Sequence, residues 1–328
     1  MKLLVIKEAR PKRTATLWES LAQEADTTFL SLDANDTDIA PLLAGKDTSA
    51  YDRVVYAAGL MRLGRDSGML ARINNLVVFG LDFCQDYVAE SDYYQRYSAL
   101  VKSLGQVRLI VTGLHSCAHY TACGIPTSCV HKAYDDTLIR DLGQERDIEH
   151  GFVGRTKHKV YRYRRQLLDE ISCRMPLAML KTADASEESA EYNELLNRIR
   201  FFISADAGFE EYMIKNFEAM AAGCVLCTLP TSPEENAQLG FVDMQNVIFF
   251  RSAEELAGKL EQVRQTPGMA NDIATAGRQL AEAHHTWRHR GKTLARVLRE
   301  PVTLPATPGW RDKLRLLQLQ VQFHLQGR

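Results

Sequence analysis

The sequence has no apolar run that is long enough to cross a membrane. None of its 328 residues belongs to a run near the ~18 apolar residues that a spanning helix needs. The first apolar run, Leu3–Ile6, ends at a lysine, which is typical of a strand and not of a signal peptide. We therefore expect a cytoplasmic protein.

The sequence also lacks an excess of charge of one sign and a disulfide framework. Forty Lys and Arg residues balance 41 Asp and Glu residues, so the net charge of −1 does not favour nucleic acid as a partner. The seven cysteines are an odd number, and most lie beside apolar residues. Free, reduced thiols are the simpler interpretation. We interpret Cys224 and Cys227 as core residues of a buried strand.

Short apolar segments, many of them closed by glycine, alternate with helical patterns along the chain. Runs without polar alternation suit strands that are covered on both faces of a parallel sheet. The sequence therefore predicts an α/β protein with two parallel-sheet domains, residues 1–145 and 146–300. The predicted strands are Leu3–Ile6, Phe29–Leu32, Arg53–Ala57, Leu76–Phe79 and Val107–Thr112, then His150–Gly154, Leu177–Leu180, Phe201–Ser204, Val225–Leu229 and Val247–Phe250.

The last segment, residues 301–328, begins with prolines that exclude helix and then resumes a helical pattern from Trp310 to Leu325. An apolar stripe on this helix predicts that it packs back on the first domain. The basic residues beside the stripe support a second interpretation, peripheral contact with a membrane surface or a dimer contact. The stripe comprises Leu314, Leu317, Val321 and Leu325, and the basic residues are Arg311, Lys313 and Arg315.

Ligands of open α/β sheets bind beyond the carboxyl ends of the strands, which selects the loop after His150–Gly154. Gly154 permits close approach of the backbone, and the cations Arg155 and Lys157 suit a diphosphate. A solvated basic face that continues through the following helix is the alternative, because the loop has no complete glycine-rich phosphate motif.

The stretch Ser204–Thr228 reads as a strand end, a turn at Gly208, a helix and a second buried strand. Glu218 lies in the helix among small and apolar residues, where an unpaired carboxylate is costly. The vicinal hydroxyls of a ribose are natural partners for it. A salt bridge to a nearby Arg or Lys is the alternative.

The segment G-F-E-E-Y-M-I-K-N-F-E-A-M-A-A-G-C resembles the C-terminal signature of group 1 GT-B glycosyltransferases. It is closest to the branch related to the spore-maturation protein CgeB. The signature places one acidic residue seven residues before a second Glu, as Glu210 and Glu218 are placed. The segments Phe152–Arg155, Ser252–Leu256 and Ala281–Arg290 resemble further motifs of this family.

This resemblance implies two Rossmann-like domains facing across a cleft, with a nucleotide-sugar donor mainly on the second. By position, Glu218 would hold the ribose, and either Glu210 or Glu211 would meet the donor sugar. The resemblance implies that Gly208 and Phe209 bind the donor through backbone amides and that the cations Arg155 and Lys157 make a divalent metal dispensable. It assigns a further donor contact to Lys181, the lysine after a strand. Tyr134 would touch the base or pack the hinge.

In the first domain, Asp82 and His115 follow strand ends, and we select them as candidate catalytic residues. An inverting transferase needs a general base there, whereas the resemblance implies retention. The set His115, Cys117, His119 and Cys123 has metal-ligand residue types, but no paired C-x-x-C supports zinc, and we predict no metal site.

We therefore expect a metal-independent hexosyltransferase (EC 2.4) without a cofactor. It would move a sugar from a nucleotide-diphosphate donor to a glycan, a lipid-linked acceptor or a protein, as in cell-surface polysaccharide biosynthesis. The alternatives are a non-catalytic nucleotide-sugar-binding partner subunit and a GT-B nucleotide-sugar epimerase. The sequence leaves open the base, the sugar, the acceptor and the oligomeric state.

Overall fold

The computed structural model describes residues 1–9, 12–33, 38–180, 190–205 and 208–301, with positions 303, 309, 310, 314, 317, 318 and 321. The chain divides into two compact units. The N-terminal unit comprises Met1–Pro11, Trp18–His131 and Gly291–Arg328, and the C-terminal unit comprises Lys12–Leu17 and Lys132–Arg290.

A six-stranded parallel sheet forms the middle of the N-terminal unit, in the spatial order β2-β1-β3-β4-β5-β6. The four residues Leu3–Ile6 of its central strand are fully buried, as expected of a strand with both faces covered. Its strands are β1 (Lys2–Glu8), β2 (Asp26–Leu32), β3 (Arg53–Ala57), β4 (Leu76–Phe79), β5 (Val107–Val111) and β6 (Thr127–Cys129). The helices are α1 (Ala15–Glu24), α2 (Ala40–Leu43), α3 (Leu60–Leu70), α4 (Arg96–Leu104) and α5 (Leu114–Ala122).

The C-terminal unit contains a five-stranded parallel sheet in the order β11-β10-β9-β7-β8. Its strands are β7 (Ile148–Val153), β8 (Ala178–Leu180), β9 (Ile199–Ser204), β10 (Val225–Thr228) and β11 (Ile248–Phe249). The helices are α6 (Arg162–Ser172), α7 (Ala190–Arg198), α8 (Ile214–Ala221), α9 (Pro233–Gln238), α10 (Ala253–Gln265) and α11 (Met269–His284). The last helix, α12 (Trp287–Arg299), belongs to this unit up to Arg290 and to the N-terminal unit from Gly291.

The order of the strands in the C-terminal unit creates a topological switch point between β7 and β9. The chain leaves β7 towards β8 on one side and later continues from β9 towards β10 on the other. The loops after β7 and β9 therefore diverge and leave a crevice at the carboxyl edge, where open α/β sheets bind ligands. Both loops carry residues that the sequence analysis selected.

The division between the units falls at Lys132, whereas the sequence placed the boundary at residue 145. Hydrogen bonds of the main chain tie the intervening segment to the C-terminal unit. The Tyr134 N–H donates to the His285 carbonyl at 3.1 Å, and the Trp287 N–H donates to the Tyr134 carbonyl at 2.9 Å. This segment has no regular hydrophobic period, so its pattern did not indicate the unit to which it belongs.

Both series of predicted strands are present, and the main differences concern short or polar elements. The edge strand β6 escaped the sequence analysis because its residues, Thr-Ser-Cys, are only half-buried and form no apolar run. Helix α3 also escaped it, because Gly64 and Gly68 interrupt the sequence that forms it. Cys224 and Cys227 are buried, which confirms their prediction as core residues, and burial raises the pKa of Cys224 to about 12.

No helix in the described part of the chain has both the length and the hydropathy that crossing a bilayer requires. Beyond residue 301, the described positions 310, 314, 317, 318 and 321 are helical. The side chains of Trp310, Leu314, Leu317 and Val321 are 51–67% exposed. The packing of this segment against the first domain stays a prediction.

Two glycines inside helices of the C-terminal unit should respond to alanine in opposite directions. A Cβ at Gly258 of α10 meets nothing within 4 Å, whereas a Cβ at Gly277 of α11 would lie 2.8 Å from the Asn246 carbonyl oxygen. We expect Gly258→Ala to stabilise the unit by about 0.5–1 kcal/mol, because alanine loses less backbone entropy in a helix.

Gly277→Ala should instead destabilise the unit by about 1–3 kcal/mol, because a main-chain carbonyl cannot move aside cheaply. Urea denaturation followed by circular dichroism measures both variants. Equal effects of the two substitutions would contradict the packing of α11 described here.

Candidate functional site

A buried lysine occupies the carboxyl edge of β7. Lys215, in the first turn of α8, donates from Nζ to the Val153 carbonyl at 3.0 Å and lies 5.7 Å from the centre of the Phe152 ring. A Cβ at Gly154 would lie 2.5 Å from this Nζ. Glycine at position 154 therefore makes room for a cation at the crevice, beside the N-terminus of a helix, and both features favour an anion.

Arg164 of α6 connects the loops that follow β7 and β9. Its Nε donates to the Ala205 carbonyl at 2.9 Å, and its Nη1 donates to the Arg155 carbonyl at 3.1 Å. The guanidinium also lies over the Tyr161 ring, 4.6 Å from its centre. Arg164 is only 3% exposed, so the alternative of a continuous solvated basic face does not hold for this residue.

The other cations of the loop after β7 have the opposite environment. The side chains of Arg155 and Lys157 are exposed, as are those of Arg162 and Arg165 on α6. The loop therefore presents exposed charge to solvent while the buried Arg164 binds its main chain. This arrangement suits a multiply charged anion that binds and leaves.

Glu218 is buried, and both of its carboxylate oxygens accept hydrogen bonds from protein groups. Arg13 Nη2 donates to Oε1 at 2.6 Å, and the Tyr192 hydroxyl donates to Oε2 at 2.8 Å. Arg13 lies in the 3-10 turn Lys12–Thr14, which belongs to the C-terminal unit. A salt bridge is thus one partner of Glu218 here, as the alternative interpretation of this residue expected.

The neighbouring residues Glu210 and Glu211 lie in different environments. Glu211 is 4% exposed and forms a buried ion pair with Lys132. Glu210 is exposed and has a left-handed φ of 49°, which costs a non-glycine residue about 1 kcal/mol. This turn follows Gly208, at φ 80°, and the buried Phe209. Of the two glutamates, Glu210 therefore presents its side chain to solvent.

Of the two remaining donor-binding candidates, the structure describes Tyr134. Tyr134 is 2% exposed and packs in the hydrophobic core of the C-terminal unit, where burial raises its pKa. Its position fits the packing interpretation given for this residue. Lys181 lies outside the described residues.

In the N-terminal unit, Asp82 and His115 follow the adjacent strands β4 and β5, and both side chains are exposed. The ring of Tyr87 lies edge-on to His115, with centroids 4.7 Å apart. Across the ranges that the structure describes, no three His, Cys, Asp or Glu side chains form a group that could hold a metal ion. His119, a member of the set considered for zinc, is instead bonded to Asp86.

Comparison with known proteins adds a family match and a set of solved structures. Residues 162–296 match a family model described as glycosyl transferase-like. Sucrose-phosphate synthase from Thermosynechococcus elongatus superposes with a TM-score of 0.61 over 91% of this chain and 98% of its own, at 13% identity. HepE from Anabaena, solved with UDP and glucose, gives a TM-score of 0.61 over 92% and 100%, at 12% identity.

The fold is GT-B. A DNA-modifying β-glucosyltransferase, studied with and without UDP-glucose, also matches, with a TM-score of 0.55 over 92% of this chain and 100% of its own, at 8% identity. At such identities the similarity shows the GT-B fold alone. No curated protein matches the sequence.

Sequence reasoning missed several residues of this GT-B chain that the structure places at the two sheet edges. Lys215 had a usable signal, because it is the one charged residue between Glu211 and Glu218. Arg13 and Tyr192 had none, since they come from distant segments. The missed residues are Arg13, Asp86, Lys132, Tyr192 and Lys215.

The buried pair of Lys132 and Glu211 should contribute to stability only as long as both partners are present. Lys132→Met removes the ammonium group that pairs with the buried Glu211 carboxylate and should destabilise the C-terminal unit by about 3–5 kcal/mol. The double variant Lys132→Met/Glu211→Leu should recover most of this loss, because it removes both charges. A double-mutant cycle in urea measures the coupling, and additive losses would show that the two charges do not depend on each other.

Proposed function

We propose that the protein is a glycosyltransferase that uses a nucleotide-diphosphate sugar bound at the carboxyl edge of the C-terminal sheet. One observation carries the proposal: the segment that matches the glycosyl transferase-like family contains Arg164 and Lys215, which bind main-chain carbonyls beside the switch point between β7 and β9 of a GT-B chain, and Glu218 on the same helix as Lys215. Crevices at switch points bind ligands in open α/β sheets. The CgeB-related branch stays a prediction.

The diphosphate of the donor fits the cations around Gly154. Lys215 and the N-terminus of α8 supply fixed positive potential, while Arg155 and Lys157 supply exposed side chains. Charge on the leaving diphosphate grows as the glycosidic bond breaks, so these groups stabilise the transition state more than the ground state. In this proposal they perform the neutralisation for which other transferases use a divalent metal.

Glu218 can bind the ribose hydroxyls if Arg13 releases its hydrogen bond to the carboxylate. A carboxylate offers about four acceptor sites, and Arg13 and Tyr192 use two of them. The side chain of Glu218 is 4% exposed, whereas that of Arg13 is 24% exposed and is the partner that solvent can reach. We propose that the vicinal hydroxyls replace Arg13, which keeps the carboxylate compensated until the nucleotide arrives.

The structurally similar proteins and the resemblance guide the choice of donor sugar and acceptor. HepE was solved with UDP, with UDP and glucose, and with UDP-glucose, so UDP-glucose is the first donor to test. Exposed Glu210 is the candidate contact for the sugar. We propose a glycan, lipid-linked or protein acceptor in cell-surface polysaccharide assembly. We propose retention at the anomeric carbon, as the resemblance implies.

A non-catalytic partner subunit that binds nucleotide-sugars is the second candidate function. The described apolar side chains at 310, 314, 317 and 321 are more than half exposed, as a docking helix requires. Donor binding by calorimetry, without transfer or hydrolysis of any donor of a UDP-, GDP-, ADP-, CMP- and dTDP-sugar panel, would favour this candidate over the transferase.

The variants Glu218→Gln and Arg13→Ala should separate the ribose role of Glu218 from its structural role. Both variants break the same ion pair, so a purely structural Glu218 predicts the same result for both. If Glu218 binds the ribose, Glu218→Gln should weaken nucleotide binding by roughly tenfold or more, since a charge-assisted hydrogen bond is worth about 1.5–3 kcal/mol.

Arg13→Ala should leave nucleotide affinity unchanged or raise it, because it removes the competitor. Isothermal titration with UDP and a thermal melt of each variant provide the two readouts. Equal affinities of Glu218→Gln and wild type, together with a lowered melting temperature, would assign Glu218 to structure alone.

Lys215→Met should weaken the binding of a nucleoside diphosphate more than that of its nucleoside. The lysine is placed to meet phosphate and not the base, so we expect a loss of about tenfold for UDP and little change for uridine. Lys259→Met is the matched control, because Lys259 is a partly buried lysine of the same unit that pairs with Asp243 at 2.7 Å and Glu255 at 3.0 Å. A parallel loss of UDP and uridine binding in Lys215→Met would remove the lysine from the diphosphate site.

A further inference from the structure

A cavity of about 510 Å³ opens at the amino edge of the C-terminal sheet, and all of its lining residues belong to this unit. Gly223 and Val225, where the chain enters β10, and Arg200, the second residue of β9, form one side of it. The first turns of α11 form another side. Because the strands are parallel, the length of β9, ~20 Å at ~3.3 Å per residue, separates this cavity from the candidate donor edge.

The described lining of the cavity is rich in positive charge. It includes three arginines and a single carboxylate, those of Arg146, Arg200, Arg278 and Asp141, so two positive charges are in excess. Asp141 lies 3.7 Å from both Arg146 and Arg278, which is an ion-pair distance and too long for a hydrogen bond. Its Oδ1 instead accepts a hydrogen bond from the Gly143 N–H at 2.9 Å.

Arg146 has a structural role that the other two arginines lack. Its Nη1 donates to the Ile199 carbonyl and its Nη2 donates to the Ala222 carbonyl, both at 2.7 Å, which ties the end of α8 to the start of β9. A Cβ at Gly223 would lie 2.6 Å from the same Nη2, so glycine leaves room for the guanidinium at the turn. Arg146 therefore forms a fixed part of the cavity.

Arg200 and Arg278 keep their guanidinium donors available to a ligand. Within the described part of the chain, neither guanidinium donates a hydrogen bond. Glu149 lies 3.8 Å from Arg200, and Glu282 lies 3.5 Å from Arg278, in ion pairs that solvent reaches. Ion pairs of this kind contribute little to stability, so an anion can replace them at low cost.

The side formed by α11 adds groups that suit a sugar. Asn271 and Thr275 are four residues apart and therefore lie on one face of the helix, with Arg278 nearly one turn further on. Their amide and hydroxyl groups both donate and accept hydrogen bonds, as ring hydroxyls do. The small side chains of Ala270 and Ala274 leave space between them. The N-terminal end of α11 also favours an anion.

We propose that this cavity is a second ligand site, which binds a sugar that carries a phosphate monoester. Such a phosphate has about two negative charges at pH 7, which matches the two excess positive charges of the lining. Planar guanidinium groups bind phosphate oxygens in pairs, and this role falls to Arg200 and Arg278. The sugar ring lies against Asn271 and Thr275.

The size and the place of the cavity support a small organic phosphate that is distinct from the donor. Its volume of about 510 Å³ lies within the range of small-molecule sites, about 300–1,000 Å³, and exceeds what a phosphate ion alone would fill. It lies at the opposite edge of the sheet from Lys215, so the proposal does not rest on the proposed function.

Titration calorimetry in the presence of saturating UDP tests the site, because UDP keeps other phosphates out of the proposed donor edge. Glucose 6-phosphate, mannose 6-phosphate and ribose 5-phosphate are the probes, with glucose and inorganic phosphate for comparison. We expect at least one ester to bind about tenfold or more tightly than inorganic phosphate, and glucose not to bind.

Arg200→Met and Arg278→Met should each weaken binding of the ester by roughly tenfold, and the double variant should abolish it. Arg264→Met is the matched control, because Arg264 is an exposed arginine of α10 that lies outside the lining and pairs with Glu261 at 3.1 Å. This control should bind the ester as wild type does. Circular dichroism of each variant verifies that it is folded.

Alkylation of the thiol introduced by Thr275→Cys provides a second, local readout. A bound ester should slow the alkylation of this thiol several-fold and leave that of the native, exposed Cys173 unchanged. Mass spectrometry of the peptides measures both rates in one sample.

Equal affinities for the esters and for inorganic phosphate would overturn the proposal, as would ester binding that survives the double variant. An introduced thiol at position 275 that a bound ester does not protect would also overturn it, and so would the absence of binding by all three esters at millimolar concentration. Absence of UDP binding would instead count against the proposed function. The arginine variants locate the ester in either case, so the two failures are distinguishable.

Discussion

The guanidinium of Arg164 is the interaction on which the candidate donor site depends most. Loops after parallel strands diverge at a switch point, and nothing in the sheet itself fixes their separation. Arg164 joins them through two carbonyls, those of Arg155 and Ala205. Its charge is delocalised and packed on Tyr161, which lowers the cost of burying it. The exposed cations of the same loop can then move without loss of the loop's main-chain position.

Buried charge at this edge is compensated separately at each position. Lys132 pairs with Glu211, Arg13 with Glu218, and Lys215 with a main-chain carbonyl. A buried carboxylate that is already paired can exchange its partner for a ligand. A buried carboxylate without a partner would destabilise the fold until the ligand binds. The same reasoning applies in the N-terminal unit, where Asp86 satisfies a helix amide with one oxygen and orients His119 with the other.

The two units share a parallel-sheet architecture, but their elements were not equally predictable from the sequence. The strands were recognisable because fully covered parallel strands are continuous apolar runs, as in Leu3–Ile6 and in β9. Glycines at strand ends and the spacing of Glu210 and Glu218 then indicated a ligand edge and a GT-B fold. Short polar elements such as β6 left no such signal, because an edge strand can be half-buried without any apolar period.

The sequence by itself determined the parallel α/β architecture and the identity of Glu218 as a carboxylate that needs partners. Only the tertiary structure decided which partners those are. Arg13 and Glu218 are 205 residues apart in the chain, and Asp86 and His119 are 33 apart on different elements. Periodicity reports only which face a residue occupies, whereas an ion pair depends on how separate elements pack. For this reason the sequence did not show that Glu211, of the two adjacent glutamates, pairs with Lys132.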